Sequence, residues 1–288
     1  MRSSHAWLIF IAALGLAFLV TTVIQTETGY LVPSPPLPQR VHRPPSPLAA
    51  PPAPITTPGP PSSWEQFYAF LEEIQPCKKL LKVGGPSGSS SDGSKSLCLD
   101  AGFELQPGAC TVLSFGINNE WSFDDAMERR GCTVYAFDPS MDVKDHTRGH
   151  NIHFYQLGVS NIRKRVMFNT LQGQLDTYSA ILRKINATER VIDFLKMDVE
   201  GAEIQFFEDV LAHNVSLLAN VKQIGMEIHP NVDINRRDQL WRYMHHLAAL
   251  NFQLVSMEPN RWSLIGGRTG RQTSNSYELA WVNRKFRL

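Results

Sequence analysis

The segment DFLKMDVEGAE, residues 193–203, places two carboxylates directly after an apolar strand. Asp198 and Glu200 are two residues apart, so on an extended chain their side chains point to the same side. Parallel sheets bind ligands at the carboxyl ends of their strands, where an acid can orient a ligand or accept a proton. The alternative is that the strand simply stops here and that the acids are solvated or cap the next helix.

A histidine follows the next strand, VKQIGMEI, which ends in Glu227 and an isoleucine. His229 is therefore the third candidate for acid–base chemistry, beside Asp198 and Glu200. Alternatively, a histidine before a proline only hydrogen-bonds a turn. A metal site formed by Asp198, Glu200, Glu227 and His229 is a further alternative. Because acids at strand ends are common without a metal, we predict no metal.

Two earlier strand ends carry groups that suit a ligand containing a nucleoside. Gly116 follows the strand TVLSF, and Asp138 ends the next strand 22 residues later. An acid about 20 residues after a glycine turn is placed to bind the two hydroxyls of a ribose, although an Asp-Pro pair also ends strands without a ligand. Gly158, after the third strand, leaves room for a ring of adenine's size. A single glycine does not match the G-x-G-x-x-G dinucleotide motif.

The elements that position these residues alternate between strand and helix patterns. Short β-branched and apolar segments predict seven strands, at residues 111–115, 133–137, 152–157, 191–197, 221–228, 252–257 and 277–282. Helical periodicity predicts helices at residues 64–75, 121–130, 175–185, 202–211 and 236–250. We therefore expect an α/β fold with a mostly parallel, seven-stranded sheet and helices on both faces. The Gly/Ser-rich residues 82–95 predict a flexible loop.

The four cysteines all lie early in the folded part. Cys110 opens the first predicted strand and Cys132 opens the second. If these strands are adjacent and parallel, both thiols lie at the same edge and a disulfide is geometrically feasible. Cys77 and Cys98 then pair by elimination, although four cysteines allow three connectivities.

The first 61 residues have a different composition. Residues 7–24, WLIFIAALGLAFLVTTVI, are 18 uncharged and mostly apolar positions, close to the lower limit for a transmembrane helix. Arg2 precedes them and Glu27 is the first charge after them, which favours a cytosolic amino terminus. We predict a cytosolic tail (1–6), a signal-anchor (7–24), a Pro-rich stalk (25–61, with 13 prolines between 33 and 61) and a folded domain (62–288). The alternative is a cleaved signal peptide and a secreted protein.

Several features point to the secretory pathway. The sequence has two N-glycosylation sequons, at Asn186 and Asn214, and an even number of cysteines. With the anchor, they predict a type II membrane protein whose domain lies in the lumen of the ER or Golgi. The net charge is +1, so no electrostatic footprint for nucleic acid is present, and we predict no nucleic-acid partner.

The series SFGINNEWSF, GCTVYAFDPSM, FLKMDVEGAE and IGMEIHP resembles the FkbM-type methyltransferases, most closely the animal methyltransferase-like protein 24 group. The resemblance runs from about residue 64 to the carboxyl terminus, and LKMDVEGAE is its most specific part. It implies a class I, Rossmann-like methyltransferase fold that binds S-adenosylmethionine. It departs from many methyltransferases in its glycine-poor first turn, where Asn118 and Asn119 can adopt positive φ. By position, it implies that Ser114, Gly116 and Asn118 face the methionine half, Asp138 the ribose, Gly158 the adenine, and Asp198 the methionine end or the acceptor.

Methyl transfer mainly requires alignment of the acceptor with the methyl group, and a hydroxyl acceptor also gains from a base. We expect Asp198, Glu200 and His229 to supply that chemistry in the O-methylation of a glycan or a similar small acceptor. Two alternatives belong to other classes. A type II glycosyltransferase has the same anchor and stalk, but we find no D-x-D between strands. A non-catalytic binding protein would keep the fold, and the glycine-poor turn is the feature that favours it.

Overall fold

Strand order decides where the predicted site lies. A computed structural model of the chain describes residues 58–85, 93–213, 215–265 and 273–288. Among these residues, the main sheet has eight strands: β1 (Thr111–Phe115), β2 (Thr133–Phe137), β3 (His146–Arg148), β4 (Ile152–Tyr155), β5 (Phe194–Met197), β6 (Gln223–Ile228), β7 (Phe252–Pro259) and β8 (Tyr277–Asn283). The α-helices are α1 (Trp64–Glu72), α2 (Ser122–Arg129), α3 (Tyr178–Lys184), α4 (Glu203–His213) and α5 (Ile234–Ala249). Short 3-10 helices span Val215–Leu218, Pro230–Val232, Arg261–Ser263 and Arg284–Phe286.

The strands are ordered β7-β8-β6-β5-β1-β2-β4-β3. From β6 to β4 all neighbours are parallel, whereas β8 is antiparallel to both β6 and β7. The order reverses direction at β1, so the carboxyl ends of β1 and β5 flank the crevice where open α/β sheets bind ligands. All seven predicted strands belong to this mostly parallel sheet. The prediction missed β3, a three-residue edge strand whose sequence HTR has no apolar alternation.

The two faces of the sheet are covered differently. On one face, which we call the helical face, strand side chains pack in one apolar cluster with residues of α1, α3, α4 and α5. On the other, the hairpin face, they pack against α2 and a two-stranded hairpin, Leu80–Val83 with Lys95–Cys98. Helices therefore do lie on both faces, as predicted, but a single α-helix of the described residues covers the hairpin face.

The hairpin corrects the prediction of a flexible loop at 82–95. Its two strands are antiparallel and pair Leu80 with Cys98, while residues 86–92 lie outside the described residues. The strand Lys95–Cys98, with the sequence KSLC, has too few residues to show a pattern, so the prediction missed it beside the Gly/Ser-rich segment. The disulfide Cys77–Cys98 and the side chain of Gln223, which bonds both the N–H (2.8 Å) and the carbonyl (3.0 Å) of Cys98, fasten the hairpin.

Both predicted disulfides are present. Cys77 and Cys98 have a Cα–Cα distance of 5.8 Å, and Cys110 and Cys132 have one of 4.7 Å. The second bridge forms because β1 and β2 are neighbours in parallel register, so their amino-terminal ends lie side by side. It therefore lies at the opposite end of these strands from the predicted site.

A small three-stranded sheet follows β4 in the chain. It consists of Leu157–Val159, Leu171–Asp176 and Lys164–Phe168. The predicted strand 152–157 therefore ends at Tyr155, and the predicted helix 175–185 begins only after Thr177, whose side chain accepts a hydrogen bond from the Ala180 N–H. A further antiparallel pair joins Leu264–Ile265 to Thr273–Ser274.

The predicted tail, the signal-anchor at 7–24 and most of the stalk lie outside the described residues. The last stalk residues contact α5: the carbonyl of Gly59 accepts from the Trp241 indole at 2.9 Å, and that of Pro61 accepts from Arg237 at 3.2 Å. Among the helices that the structure describes, none combines the length and apolar character needed to cross a bilayer.

Candidate active site

A cleft of about 900 Å³ opens at the carboxyl ends of β1, β2 and β5. One side is formed by the turn after β1, another by the segment after β5, and the three-stranded sheet contributes Lys164 and Val166 to Phe168. Six of the eight predicted site residues line it: Gly116, Asn118, Asp138, Gly158, Asp198 and Glu200. Ser114 and His229 do not. The sequence thus predicted the position of the cleft and six of the residues that line it.

The turn after β1 has a positive-φ conformation at three of its first four residues. Gly116 has φ +80°, and a Cβ there would lie 1.6 Å from the carbonyl oxygen of Asp198. Glycine is therefore required by the close approach of two strand ends. Asn118 and Asn119 have φ of 44° and 60°, as the sequence predicted. Because asparagine tolerates this region, the turn keeps a tight shape with a single glycine.

Asp138 holds that turn. Its Oδ2 accepts hydrogen bonds from the N–H groups of Ile117 (2.9 Å) and Asn118 (2.8 Å). Its Oδ1 accepts from the N–H (2.8 Å) and the hydroxyl (2.6 Å) of Ser140. Each oxygen thus already accepts two bonds, and a ribose hydroxyl has to replace one of these donors. The Ser140 hydroxyl is the donor that can rotate away without moving the backbone.

Two predicted cofactor residues have packing roles. Ser114 is fully buried on the hairpin face, within β1, and does not line the cleft. Gly158 does line the cleft, but a Cβ there would lie 2.5 Å from the Leu175 side chain and 2.7 Å from Pro139. Its lack of a side chain is thus already demanded by these protein neighbours.

Asp198 lies between two lysines. Its Oδ2 accepts from the Lys95 Nζ at 2.9 Å, and the Lys196 Nζ is 3.8 Å away. Burial alone would raise the pKa of Asp198, but the two ammonium groups outweigh it and hold that pKa far below its usual range. The Lys196 Nζ also donates to the carbonyl of Gly116 at 2.5 Å. Asp198 is therefore a permanent anion at the cleft.

A row of three glutamates crosses the hairpin face. Glu227 on β6, Glu278 on β8 and Glu258 on β7 are direct cross-strand partners. Lys95 bonds Glu278 at 2.8 Å, and the exposed Lys82 bonds Glu258. Burial raises the pKa of Glu278 to about 8, and burial together with the charge of Asp198 raises that of Glu227. Glu227 and Glu278 therefore retain protons that ordinary glutamates lose.

His229 is placed beside the cleft and reaches it through Glu200. Its Nε2 is 3.5 Å from the Glu200 carboxylate and 3.7 Å from that of Glu227. Glu200 is 82% exposed at the cleft rim and has φ 50°. A non-glycine residue in this conformation stores strain, which is common at functional sites. The structure thus brings the predicted Glu200 and His229 together.

Apart from the disulfide-bonded Cys77 and Cys98 with Asp100, two groups of the described side chains have ligand atoms within 4.8 Å of one another. One is Glu200, Glu227 and His229; the other is Asp198, Glu227 and Glu278. In the second group the Lys95 ammonium bonds two of the three carboxylates, so a protein cation already supplies the positive charge. These contacts do not require a metal to explain them.

The glycine after Glu200 is explained by its neighbours. Gly201 has φ +101°, and a Cβ there would lie 2.9 Å from the guanidinium of Arg236, which donates to the Gly201 carbonyl at 3.0 Å. Glu203, the first residue of α4, is buried 3.5 Å from the same guanidinium. Glu203 is thus part of a structural contact.

Sequence reasoning missed Lys95 and Glu278. Lys95 lies at the end of the predicted loop, and Glu278 lies within the last predicted strand, without a predicted role in the site. A signal was present: Glu227, Glu258 and Glu278 are isolated acids in otherwise apolar strands. Charges at such positions need partners once they are buried.

Comparison with known proteins gives a consistent result. A family model described as "Methyltransferase domain" matches residues 50–264. "Probable methyltransferase-like protein 24" of Homo sapiens is 24% identical over 245 residues, covering 77% of this chain and 66% of the relative. The protein of that name in Rattus norvegicus is 23% identical with the same coverage. The chain therefore spans just under two thirds of the length of these relatives. The solved structure "A putative sam-dependent methyltransferase from Streptococcus mutans" is 8% identical, with a TM-score of 0.37, covering 72% of this chain and 56% of that one.

Proposed function

The chain belongs to the methyltransferase-domain family, whose methyl donor is S-adenosylmethionine, and from this premise we propose that its cleft binds the donor and methylates a hydroxyl of a glycan or a similar acceptor. The observation that carries the proposal is the convergence of six predicted residues on one cleft where the strand order reverses. Ligand sites of open α/β sheets lie at this point.

The residues of the cleft fit the donor. The turn after β1 and Asp138 lie where a ribose is bound in such folds, and the Ser140 hydroxyl can give way to a ribose hydroxyl. The bound donor supplies a methyl group on a positively charged sulfonium. Asp198 contributes an ionised carboxylate at the cleft, held between the ammonium groups of Lys95 and Lys196.

Asp198 is a poor general base, because its pKa is held so low that it has little affinity for a proton near neutral pH. We therefore assign Asp198 to the methionine end of the donor. Glu200 lines the cleft and contacts His229, so this pair is placed to receive the proton of the acceptor hydroxyl. His229 then acts through Glu200.

Two features of the described residues weigh against the alternatives. In the segment Asp124–Asp125, the first acid is fully buried in α2 and burial raises its pKa to about 6, which does not suit a metal-bound sugar nucleotide. The glycine-poor turn favoured a non-catalytic protein only if asparagine could not replace glycine there. Asn118 and Asn119 do adopt positive φ, so the glycine-poor turn no longer favours a non-catalytic protein.

The test uses the full-length protein, labelled S-adenosylmethionine and a panel of glycans with free hydroxyls. We expect label transfer to a hydroxyl, a loss of about 10²-fold or more in rate for Glu200→Gln, and no sugar transfer from UDP-sugars. Glu258→Gln, which changes an acid away from the cleft, is the matched control and should retain the rate. Transfer to nitrogen alone, or parental rates for Glu200→Gln, would contradict the proposed acceptor chemistry.

We further propose that the protein is a single-pass type II membrane protein of the ER or Golgi lumen. The disulfides and the exposed sequon at Asn186 support this; the sequon at Asn214 lies outside the described residues. Glycosidase treatment of the cell-expressed protein should increase its gel mobility, and Asn186→Gln should remove part of that shift. An unglycosylated parent protein would count against lumenal placement.

A further inference from the structure

Lys95 lies in the hairpin yet reaches the cleft from behind the sheet. Its side chain is 1% exposed, and its ammonium bonds Asp198 at 2.9 Å and Glu278 at 2.8 Å. The stem of the lysine passes over Gly225 of β6, where an added Cβ would lie 3.3 Å from the Lys95 Cβ. A bulkier residue than glycine at this point of β6 would therefore crowd the lysine.

Burying a lysine is costly unless carboxylates surround it. Burial would lower the pKa of Lys95, but Asp198 and Glu278 outweigh it and raise that pKa above its ordinary value. The hairpin that carries the lysine is fixed three residues further on, at Cys98, by a disulfide and by Gln223. The ammonium is thus held rigidly behind Asp198.

We propose that Lys95 is a positioning residue of the donor site: its ammonium fixes the orientation and the negative charge of Asp198 toward the donor. This inference rests on the proposed donor site, but it does not depend on the acceptor. Lys95 does not line the cleft, so it acts on the donor only through Asp198.

Asp198 is surrounded by charges on every neighbouring element. Lys196 lies on its own strand, Glu227 on β6, Glu278 on β8 and Lys95 on the hairpin. Beyond Glu227 lie Glu200 and His229, the rim pair described above. Removal of Lys95 leaves the buried Asp198 with Lys196, 3.8 Å away, as its nearest cation, so we expect the Asp198 carboxylate to take up a proton in mildly acidic solution.

The first experiment measures the dissociation constant of S-adenosylmethionine by calorimetry between pH 5.5 and 8 on the full-length protein. The parent should bind with nearly constant affinity over this range. Lys95→Met should bind about 10-fold more weakly at pH 5.5 and recover toward pH 8. Lys82→Met is the matched control: Lys82 lies on the same hairpin and pairs with an exposed side of Glu258. It should behave like the parent. A pH-independent loss in Lys95→Met, or none, overturns the proposal.

The second experiment is a double-mutant cycle. If Lys95 acts through Asp198, Lys95→Met should cost less than 2-fold in affinity when Asp198→Asn is already present. Additive losses overturn the proposal. If Lys95→Met does not fold, the double variant Lys95→Met/Glu278→Gln is used in its place, because it changes both partners of the ion pair together. Failure of both variants to fold would assign Lys95 to stability alone and would also overturn the proposal.

These measurements separate the two proposals. Donor binding that depends on Lys95, without transfer to any hydroxyl, would contradict the proposed acceptor chemistry and leave the role of Lys95 intact. Methylation of a hydroxyl with Lys95→Met unaffected would do the reverse.

Discussion

The helical and hairpin faces of the same sheet differ in what their strands bury. On β7, β8, β6, β5, β1 and β2, every charged side chain lies on the hairpin face: Lys196, Glu227, Glu258 and Glu278. Their neighbours along the strands point to the helical face and are apolar, as Met197, Met226 and Leu279 are. The pleated sheet thus places the apolar residues that stabilise the fold on one face and the charged residues on the other.

The difference teaches why the hairpin is needed. Apolar area that is buried under helices stabilises the fold by roughly 25 cal/mol per Å², and these contacts need no specific partner. Buried glutamates need cations at defined positions, and Lys95 of the hairpin supplies one to Glu278. The hairpin is therefore part of the electrostatics of the cleft, although it does not belong to the parallel sheet.

The largest expected effect compares one phenylalanine from each face. Phe207 of α4 lies on the helical face, 5.3 Å from the Tyr243 ring, and Phe123 of α2 lies on the hairpin face, 5.5 Å from Phe194. Each is at most 1% exposed, so replacement by alanine should lower the free energy of unfolding by about 3–5 kcal/mol. Denaturant titration checks this value.

Only the hairpin-face variant should also weaken donor binding. Phe123 packs at the start of the helix that follows the β1 turn, against Gly84. We expect Phe123→Ala to bind S-adenosylmethionine several-fold more weakly and Phe207→Ala to bind it within 2-fold of the parent, by calorimetry on folded protein. Equal losses in the two variants would break the division between the faces.

Sequence patterns were sufficient for the helical face and for the strand ends. Short β-branched and apolar segments identified seven of the eight strands of the main sheet, and apolar patterns of period 3.6 identified the five helices. The expectation that parallel neighbouring strands begin at Cys110 and Cys132 made their disulfide feasible, and it is present. Asp138, Asp198 and Glu200 were found because each follows an apolar strand directly. These features are local, so a single sequence contains them.

The hairpin face could not be predicted in the same way. Lys95 meets Asp198 across 103 positions of the chain and Glu278 across 183. Such pairs depend on which loop folds over which face, and residue spacing does not encode this. Ser114 was assigned to the methionine half of the donor by the family resemblance alone, but its side chain is buried within β1 and does not line the cleft.

The two disulfides give the second prediction, with a smaller effect on stability. They close loops of nearly equal length, with sequence separations of 21 and 22 residues. Replacing either pair by alanine should therefore lower the free energy of unfolding by a similar amount, about 3 kcal/mol in the chain-entropy model. Unequal stability losses would indicate strain or residual structure that the model does not contain.

The functional outcomes of these two variants should differ. Cys77→Ala/Cys98→Ala releases the hairpin that carries Lys95, and we expect donor affinity to fall about 10-fold. Cys110→Ala/Cys132→Ala alters the far ends of β1 and β2 and should leave donor affinity within 2-fold. Calorimetry at a temperature where both variants are folded checks the comparison. Weaker binding by the second variant alone would reverse it.

The smallest expected effect is a pH slope of stability that belongs to the hairpin face. Burial raises the folded-state pKa of Glu278 to about 8 from the ordinary 4.5, so between these values the folded protein binds more protons than the unfolded chain. Stability therefore falls as pH rises, by at most about 1.4 kcal/mol per pH unit from this residue.

Glu278→Gln should flatten the slope of stability against pH between pH 7 and 8. This window lies above the pKa of Asp124, about 6, and above that of ordinary histidine. Glu72→Gln, a change on α1 of the helical face, should retain the parental slope. Denaturant titrations at pH 7.0, 7.5 and 8.0 measure it, and a parental slope in Glu278→Gln would show that this glutamate is already ionised when folded.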